Sequence, residues 1–127
     1  MKNTAKNIII TFICAAAFSI CLFACGCTKV DVPKGTPKCI KQEIKEAIKN
    51  KTCLKNVHEY DYNGRKVYFF QDDAKQCSEA CGYLMDENCL YLKGSNGTSI
   101  CGCAFGQLIN CNDFFQNRTN EKLIWEK

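Results

Sequence analysis

"VHEYDYNGRKVYFF", residues 57–70, reads as a β-hairpin. Asn63-Gly64 suits a two-residue type I′ turn, because both residues tolerate positive φ. Fixing the turn fixes the register: Tyr62 faces Arg65, Asp61 faces Lys66, Tyr60 faces Val67, Glu59 faces Tyr68 and His58 faces Phe69. Asp61 opposite Lys66 is a favourable cross-strand charge pair. One face then carries Tyr60, Tyr62, Val67 and Phe69, and the other carries Val57, Tyr68 and Phe70. With aromatic residues on both sides, one face needs a second cover from the cysteine-rich half, or else it is an exposed contact surface.

Upstream, Thr36-Pro37 looks like a helix start, a hydroxyl cap followed by proline in the first turn. Ile40, Ile44, Ala47 and Ile48 recur at helical spacing and form one apolar stripe, flanked by Cys39. The stripe is expected to lie on the Tyr60, Tyr62, Val67, Phe69 face. Lys41, Lys45 and Lys49 line another side of the helix, a solvated face partly offset by Glu43 and Glu46 or a patch for anionic lipid or polysaccharide. Downstream, Asp73 is a candidate cap for a short helix over Ala74 to Cys81, with Gln76 completing the box and Gly82 ending it. Leu90-Tyr91-Leu92 and Thr98 to Cys103 read as short strands around a turn at 93–97. From Gln116 the chain is polar apart from Leu123, Ile124 and Trp125, a tail that docks or frays. The expected fold class is α+β: one N-terminal amphipathic helix packed on a small antiparallel sheet, rich in disulfides.

The first residues carry a different signal. Lys2 and Lys6 precede an uncharged, mostly apolar run from Ile8 to Phe23. As a helix this run spans about 24 Å, short of the roughly 30 Å hydrocarbon core, and so suits a signal-peptide core better than a membrane span. It ends in Leu22-Phe23-Ala24-Cys25, which resembles the lipobox of bacterial lipoproteins. That resemblance implies a diacylglycerol thioether on Cys25 and cleavage after Ala24. Phe23 stands where a small residue is commoner. A eukaryotic secretory signal is the alternative, and it would make Asn50, Asn96 and Asn117 glycan candidates. The expected organisation is a signal peptide at 1–24, a lipidated tether at 25–36, a domain at 37–115 and a tail at 116–127.

This division decides how the 12 cysteines are counted. Cys14 and Cys21 leave with the signal, Cys25 takes lipid and Cys27 lies in the tether. Cys39, Cys53, Cys77, Cys81, Cys89, Cys101, Cys103 and Cys111 remain. An even set in an exported domain of about 90 residues reads as four disulfides, with 105 possible connectivities. Cys101 and Cys103 fall on the same side of a strand and are expected to take different partners. Metal binding through Cys77-x3-Cys81 and Cys101-x-Cys103 is the competing reading, but structural zinc favours C-x2-C spacing and export favours oxidation. No metal or cofactor is expected.

With these motifs in place, the domain resembles a family of small lipoproteins from Bacteroidetes-type bacteria, known as a domain of unknown function. The likeness rests on Pro37-x-Cys39-Ile40, on Tyr60-x-Tyr62-x-Gly64-x-x-Val67-Tyr68-Phe69-Phe70, and on a cysteine near 77. It continues through Leu84-x-Asp86, Ile100-Cys101 and Cys111-x-Asp113-Phe114, covering about residues 37–115. The family's adjacent cysteine pair followed by aspartate is missing, and Ala104 to Asn110 replaces its glycine-rich stretch. The resemblance implies an exported α+β module and carries no activity with it.

The formal net charge of +4 is too mild for a nucleic-acid partner. His58 is the lone histidine, no nucleophile motif or phosphate-cradling loop is present, and no catalytic residue is assigned. The expected function is a membrane-anchored lipoprotein of the cell envelope, at the outer membrane, acting as a non-catalytic binding or structural module. Protein or carbohydrate would dock on Tyr60, Tyr62 or Tyr68. The alternatives are an exported protease inhibitor, since "GSNGTSICGCAF" at 94–105 resembles a stretch of Kazal-type inhibitors, and an accessory to a cell-wall or sugar-directed enzyme.

Overall fold

The computed structural model describes residues 29–78, 81–104 and 107–127. The proposed signal peptide and Cys25 lie outside them. Helix α1 spans Lys38–Lys49, followed by strands β1 (Leu54–Tyr62), β2 (Arg65–Asp72) and β3 (Gly82–Asp86). The short strands β4 (Gly102–Ala104) and β5 (Gln107–Ile109), helix α2 (Asn112–Asn117) and strand β6 (Thr119–Glu126) complete the order. Four strands form one antiparallel sheet in the order β3-β2-β1-β6, and β4 pairs with β5 in a separate hairpin.

The β1–β2 hairpin has the register that its turn dictates, from Tyr62 opposite Arg65 to Val57 opposite Phe70. Asn63 and Gly64 have φ of 50° and 75°, as a type I′ turn requires. Strand alternation sends Tyr60, Tyr62, Val67 and Phe69 into one apolar cluster, and Val57, Tyr68 and Phe70 into another on the opposite face. β3 continues the pattern: Leu84, opposite Phe69, joins the first cluster, and Met85, opposite Tyr68, joins the second. At Gly82 the φ is 150°, and an added Cβ would lie 2.5 Å from the Phe70 carbonyl oxygen, so only glycine fits where β3 joins β2.

The class expected from sequence, α+β with one N-terminal amphipathic helix packed on a small antiparallel sheet, is overturned. The chain is mostly β, and strand residues outnumber helical ones among those described. Much of the difference lies at the C-terminal end. The segment expected as a tail is the edge strand β6, paired with β1 through Asn56–Glu126 and Asp61–Thr119, and it buries Ile124. The sheet therefore runs past position 115. The side covered by α1 also differs. Ile40 and Ile44 pack with Val57, Tyr68 and Phe70, not with the Tyr60 face. Both faces carry aromatic rings, so the helical stripe alone did not choose between them.

Further differences are local. Thr36 does not cap α1; Pro37 holds the N-cap position and the Thr36 hydroxyl donates to the Pro33 carbonyl at 2.8 Å. Residues 74–76 form a turn instead of a helix, with the Cys77 amide donating to the Asp73 carbonyl and the Lys75 amide to Asp73 Oδ1. Gly82 opens a strand where it was expected to close a helix. Leu90 to Leu92 contributes a single bridge, Tyr91 to Met85, and Lys93 bridges to Ser99 across the turn.

Four disulfides join the eight cysteines of the domain: Cys39–Cys89, Cys53–Cys77, Cys81–Cys103 and Cys101–Cys111. Cys101 and Cys103 take different partners, but not from one side of a strand: Cys101 precedes β4 at a left-handed φ of 57° and is buried, whereas Cys103 lies within β4 and is exposed. Cys39–Cys89 ties α1 to the loop after β3, and Cys53–Cys77 ties the approach to β1 to the loop after β2.

Candidate binding groove

Helix α1 ends in a Schellman motif. The Thr52 amide donates to the Ala47 carbonyl at 3.0 Å and the Lys51 amide to the Ile48 carbonyl at 3.2 Å. The left-handed position of that motif usually holds glycine, but here Lys51 occupies it at φ 52°. The stop turns the chain into β1 and leaves a groove between the end of the helix and the last residues of β6. Ala47, Ile48, Leu54 and Trp125 supply apolar walls, and Lys51 and Lys127 bring two ammonium groups to a volume of about 400 Å³. No carboxylate pairs with either lysine among the described residues; the Lys127 ammonium donates to Gln76 Oε1 at 2.9 Å.

A second groove of about 430 Å³ lies on the other flank of the helix end, lined by Glu43, Glu46, Asn50, Asp72 and Tyr83. Its charge is opposite. Burial pushes the Asp72 carboxyl above its usual range and also raises the Tyr83 phenol. The two grooves share Ala47, Thr52 and Leu54 as a common divide.

The polar groups most suggestive of chemistry bond one another across β1, α2 and β6. The Tyr60 hydroxyl donates to Glu121 Oε1 at 2.7 Å and accepts from Arg118 Nη1 at 3.1 Å. The Arg118 guanidinium also lies over the Tyr60 ring at 4.6 Å and the Phe115 ring at 4.7 Å. Burial, reinforced by Glu121, pushes the Tyr60 phenol up to about 12, so it stays protonated at neutral pH. The same hydrogen bond holds the Glu121 carboxyl below its usual range. His58 Nδ1 stands 2.8 Å from Glu121 Oε1, an ion-pair distance without hydrogen-bond alignment. Tyr62 bonds Asp113 through its hydroxyl. Tyr60, Tyr62, Asp113, Arg118 and Glu121 are all hydrogen-bonded within this set, and the arrangement ties β6 and α2 to β1.

Tyr60, Tyr62 and Tyr68, expected from sequence as a docking surface, are 3%, 2% and 1% exposed and belong to the two cores. They offer no aromatic patch to a ligand. Lys66 meets Asp61 at 3.5 Å as its register implies, but it lies closer to Glu59, at 2.6 Å. Glu59 also accepts from the Tyr68 hydroxyl at 3.2 Å, an acid facing the helix side rather than solvent. The loop likened to an inhibitor is a closed turn, with the Gly94 amide donating to the Thr98 carbonyl at 2.8 Å and Asn96 Oδ1 accepting from Thr98. Among the described residues, no group of three or more His, Cys, Asp or Glu side chains is placed to hold a metal ion.

Sequence reasoning missed Trp125 and the paired lysines, because the C-terminal segment read as a polar tail. A signal was present: Leu123-Ile124-Trp125 between charged residues is the pattern of a half-buried edge strand.

Fold and groove together define a disulfide-stapled, mostly-β module with an apolar, cation-rimmed cleft at one corner. A family model, the domain of unknown function DUF6970, matches residues 42–127, and the chain belongs to that family. The match takes in β6 and the groove. No curated protein and no solved structure matches the chain.

Proposed function

We propose that the protein is an exported, lipid-anchored module of the bacterial cell envelope that binds a partner and does not catalyse. The observation that carries this reading is the set of four disulfides joining all eight cysteines from Cys39 to Cys111. Such density belongs to an oxidising compartment, because cytosolic thiols are kept reduced. Export calls for a leader, and the basic, apolar run ending at Leu22-Phe23-Ala24-Cys25 supplies one with a lipid acceptor. One acyl chain holds a protein only marginally, at about 0.8 kcal/mol per buried methylene, whereas two or three on Cys25 hold it stably. The binding role is supported by the rigid scaffold and by polar groups already engaged with one another.

Mass spectrometry of the native protein with and without reductant tests this directly. The expected result is an acylated peptide beginning at Cys25, and a gain of two hydrogens for each of the four domain disulfides on reduction. Cys25→Ser should abolish the acyl mass. Unmodified Cys25 in native protein, or eight reduced domain thiols, overturns the proposal.

A further inference from the structure

We infer that the groove between the end of α1 and β6 is a binding site for an amphiphilic carboxylate, a short aliphatic or aromatic chain ending in an anion. The inference rests on the binding role proposed above, though not on the anchor at Cys25. Three features converge on this class of ligand. The walls at Ala47, Ile48, Leu54 and Trp125 are apolar, and the volume of about 400 Å³ falls within the roughly 300–1,000 Å³ of small-molecule sites. The charged side chains of the lining are Lys51 and Lys127, and neither has a carboxylate partner among the described residues. The neighbouring groove has nearly the same size but is lined by Glu43, Glu46 and Asp72, so the two differ in the sign of charge that they attract.

The third feature is the backbone at Lys51. A left-handed non-glycine residue is strained, and glycine is the ordinary occupant of this place in a helix stop. The chain instead carries a long cationic side chain there, at the mouth of an apolar cleft. Helix-end compensation alone accounts for a lysine somewhere in the last turn, and Lys49 already provides one.

Trp125 is the single tryptophan of the chain and lines the groove, so its fluorescence reports occupancy without a label. The full chain in nonionic detergent is titrated with octanoate, with octanol and octyltrimethylammonium as controls of the same chain length. The expected result is a saturable change with octanoate, a response at least about tenfold weaker with octanol, and none with octyltrimethylammonium. Tenfold corresponds to about 1.4 kcal/mol. Lys51→Gly should fold at least as stably as the parent, because glycine relieves the left-handed strain, while binding octanoate about fivefold to tenfold more weakly. Lys127→Gln should weaken binding by a similar factor. Equal responses to the three probes, no saturable response to octanoate, or affinity unchanged in both lysine variants overturns the assignment. A Lys51→Gly protein that loses stability with unaltered binding does so as well, by showing that Lys51 serves only the helix end. The acyl mass on Cys25 is a separate readout, so anchoring and groove can fail independently.

Discussion

The two faces of the sheet are covered in different ways. On one, α1 lays Ile40 and Ile44 over Val57, Tyr68, Phe70 and Met85, and regular hydrogen bonding satisfies the cover's own backbone. On the other, the cover is Leu92, Ile100, Cys101 and Cys111 from loop positions, with Phe114 from the short helix α2. It is gathered around Phe114, whose ring meets Tyr60 at 5.4 Å, Tyr62 at 5.5 Å and Phe69 at 5.8 Å. A helix brings a stripe of side chains to a sheet in one piece. An irregular cover has no such scaffold, so it depends on one deep aromatic anchor and on cross-links close in sequence. Cys101–Cys111 closes only 10 positions and Cys81–Cys103 closes 22, whereas Cys39–Cys89, on the helix side, closes 50.

Truncating the anchor should have the largest effect. Phe114 is fully buried, and Phe114→Ala is expected to lower stability by about 3–5 kcal/mol in urea unfolding under oxidising conditions. Ile44→Ala on the helix side should fall lower in the roughly 2–5 kcal/mol range for an aliphatic truncation. A milder effect at Phe114 than at Ile44 would break the contrast between a pinned cover and a striped one.

Loop closure orders the cross-links. Removing Cys39–Cys89 by a double serine replacement should cost about 4 kcal/mol, and removing Cys101–Cys111 about 3 kcal/mol, if restriction of the unfolded chain dominates. Amide hydrogen exchange sharpens the comparison, because loss of the shorter bridge should loosen chiefly residues near 100–111. Uniform loosening of both faces would mean that the sheet and its two covers open as one unit.

The smallest effect concerns the acidic flank of the helix cover. Burial raises the Asp72 pKa in the folded chain above its unfolded value, so the folded state retains a proton that the unfolded state has released. Stability therefore falls as pH rises from the unfolded pKa through the folded one, and it levels off above. Asp72→Asn removes this penalty. It should stabilise the protein at neutral pH by well under about 1 kcal/mol, because solvent screens much of the carboxyl, and it should lose that advantage in strong acid. Equilibrium unfolding at several pH values checks both the sign and the window.

The hairpin was legible in the sequence because its determinants are local. Asn63-Gly64 fixes the turn, the turn fixes the register, and the register sorts Tyr60, Val67 and Phe69 from Tyr68 and Phe70. That the cysteines would join in disulfides followed from their number and setting, whereas the split between Cys101 and Cys103 comes from a left-handed turn at Cys101 just before β4, which strand alternation does not foresee. Which cysteines would meet did not, since pairing depends on how loops return to the sheet. The choice of face for α1 was hidden for a similar reason, its stripe being compatible with either aromatic surface. β6 escaped notice because an edge strand buries little: Ile124 is fully inside, but Leu123 remains 47% exposed. The groove depends on β6 and was hidden with it.

The pairing of β6 with β1 slips twice, between Val57 and His58 and again between Glu59 and Asp61, and Asn120 adopts a left-handed φ of 53°. Among the described residues no strand lies beyond β6, so its outer amides and carbonyls form the open margin of the sheet. A straight margin of eight residues invites strand-by-strand growth into fibres, and interruptions in the pleat are a common defence against it. Straightening the two slips by deleting one residue at each is expected to turn this margin into a seed for polymerisation.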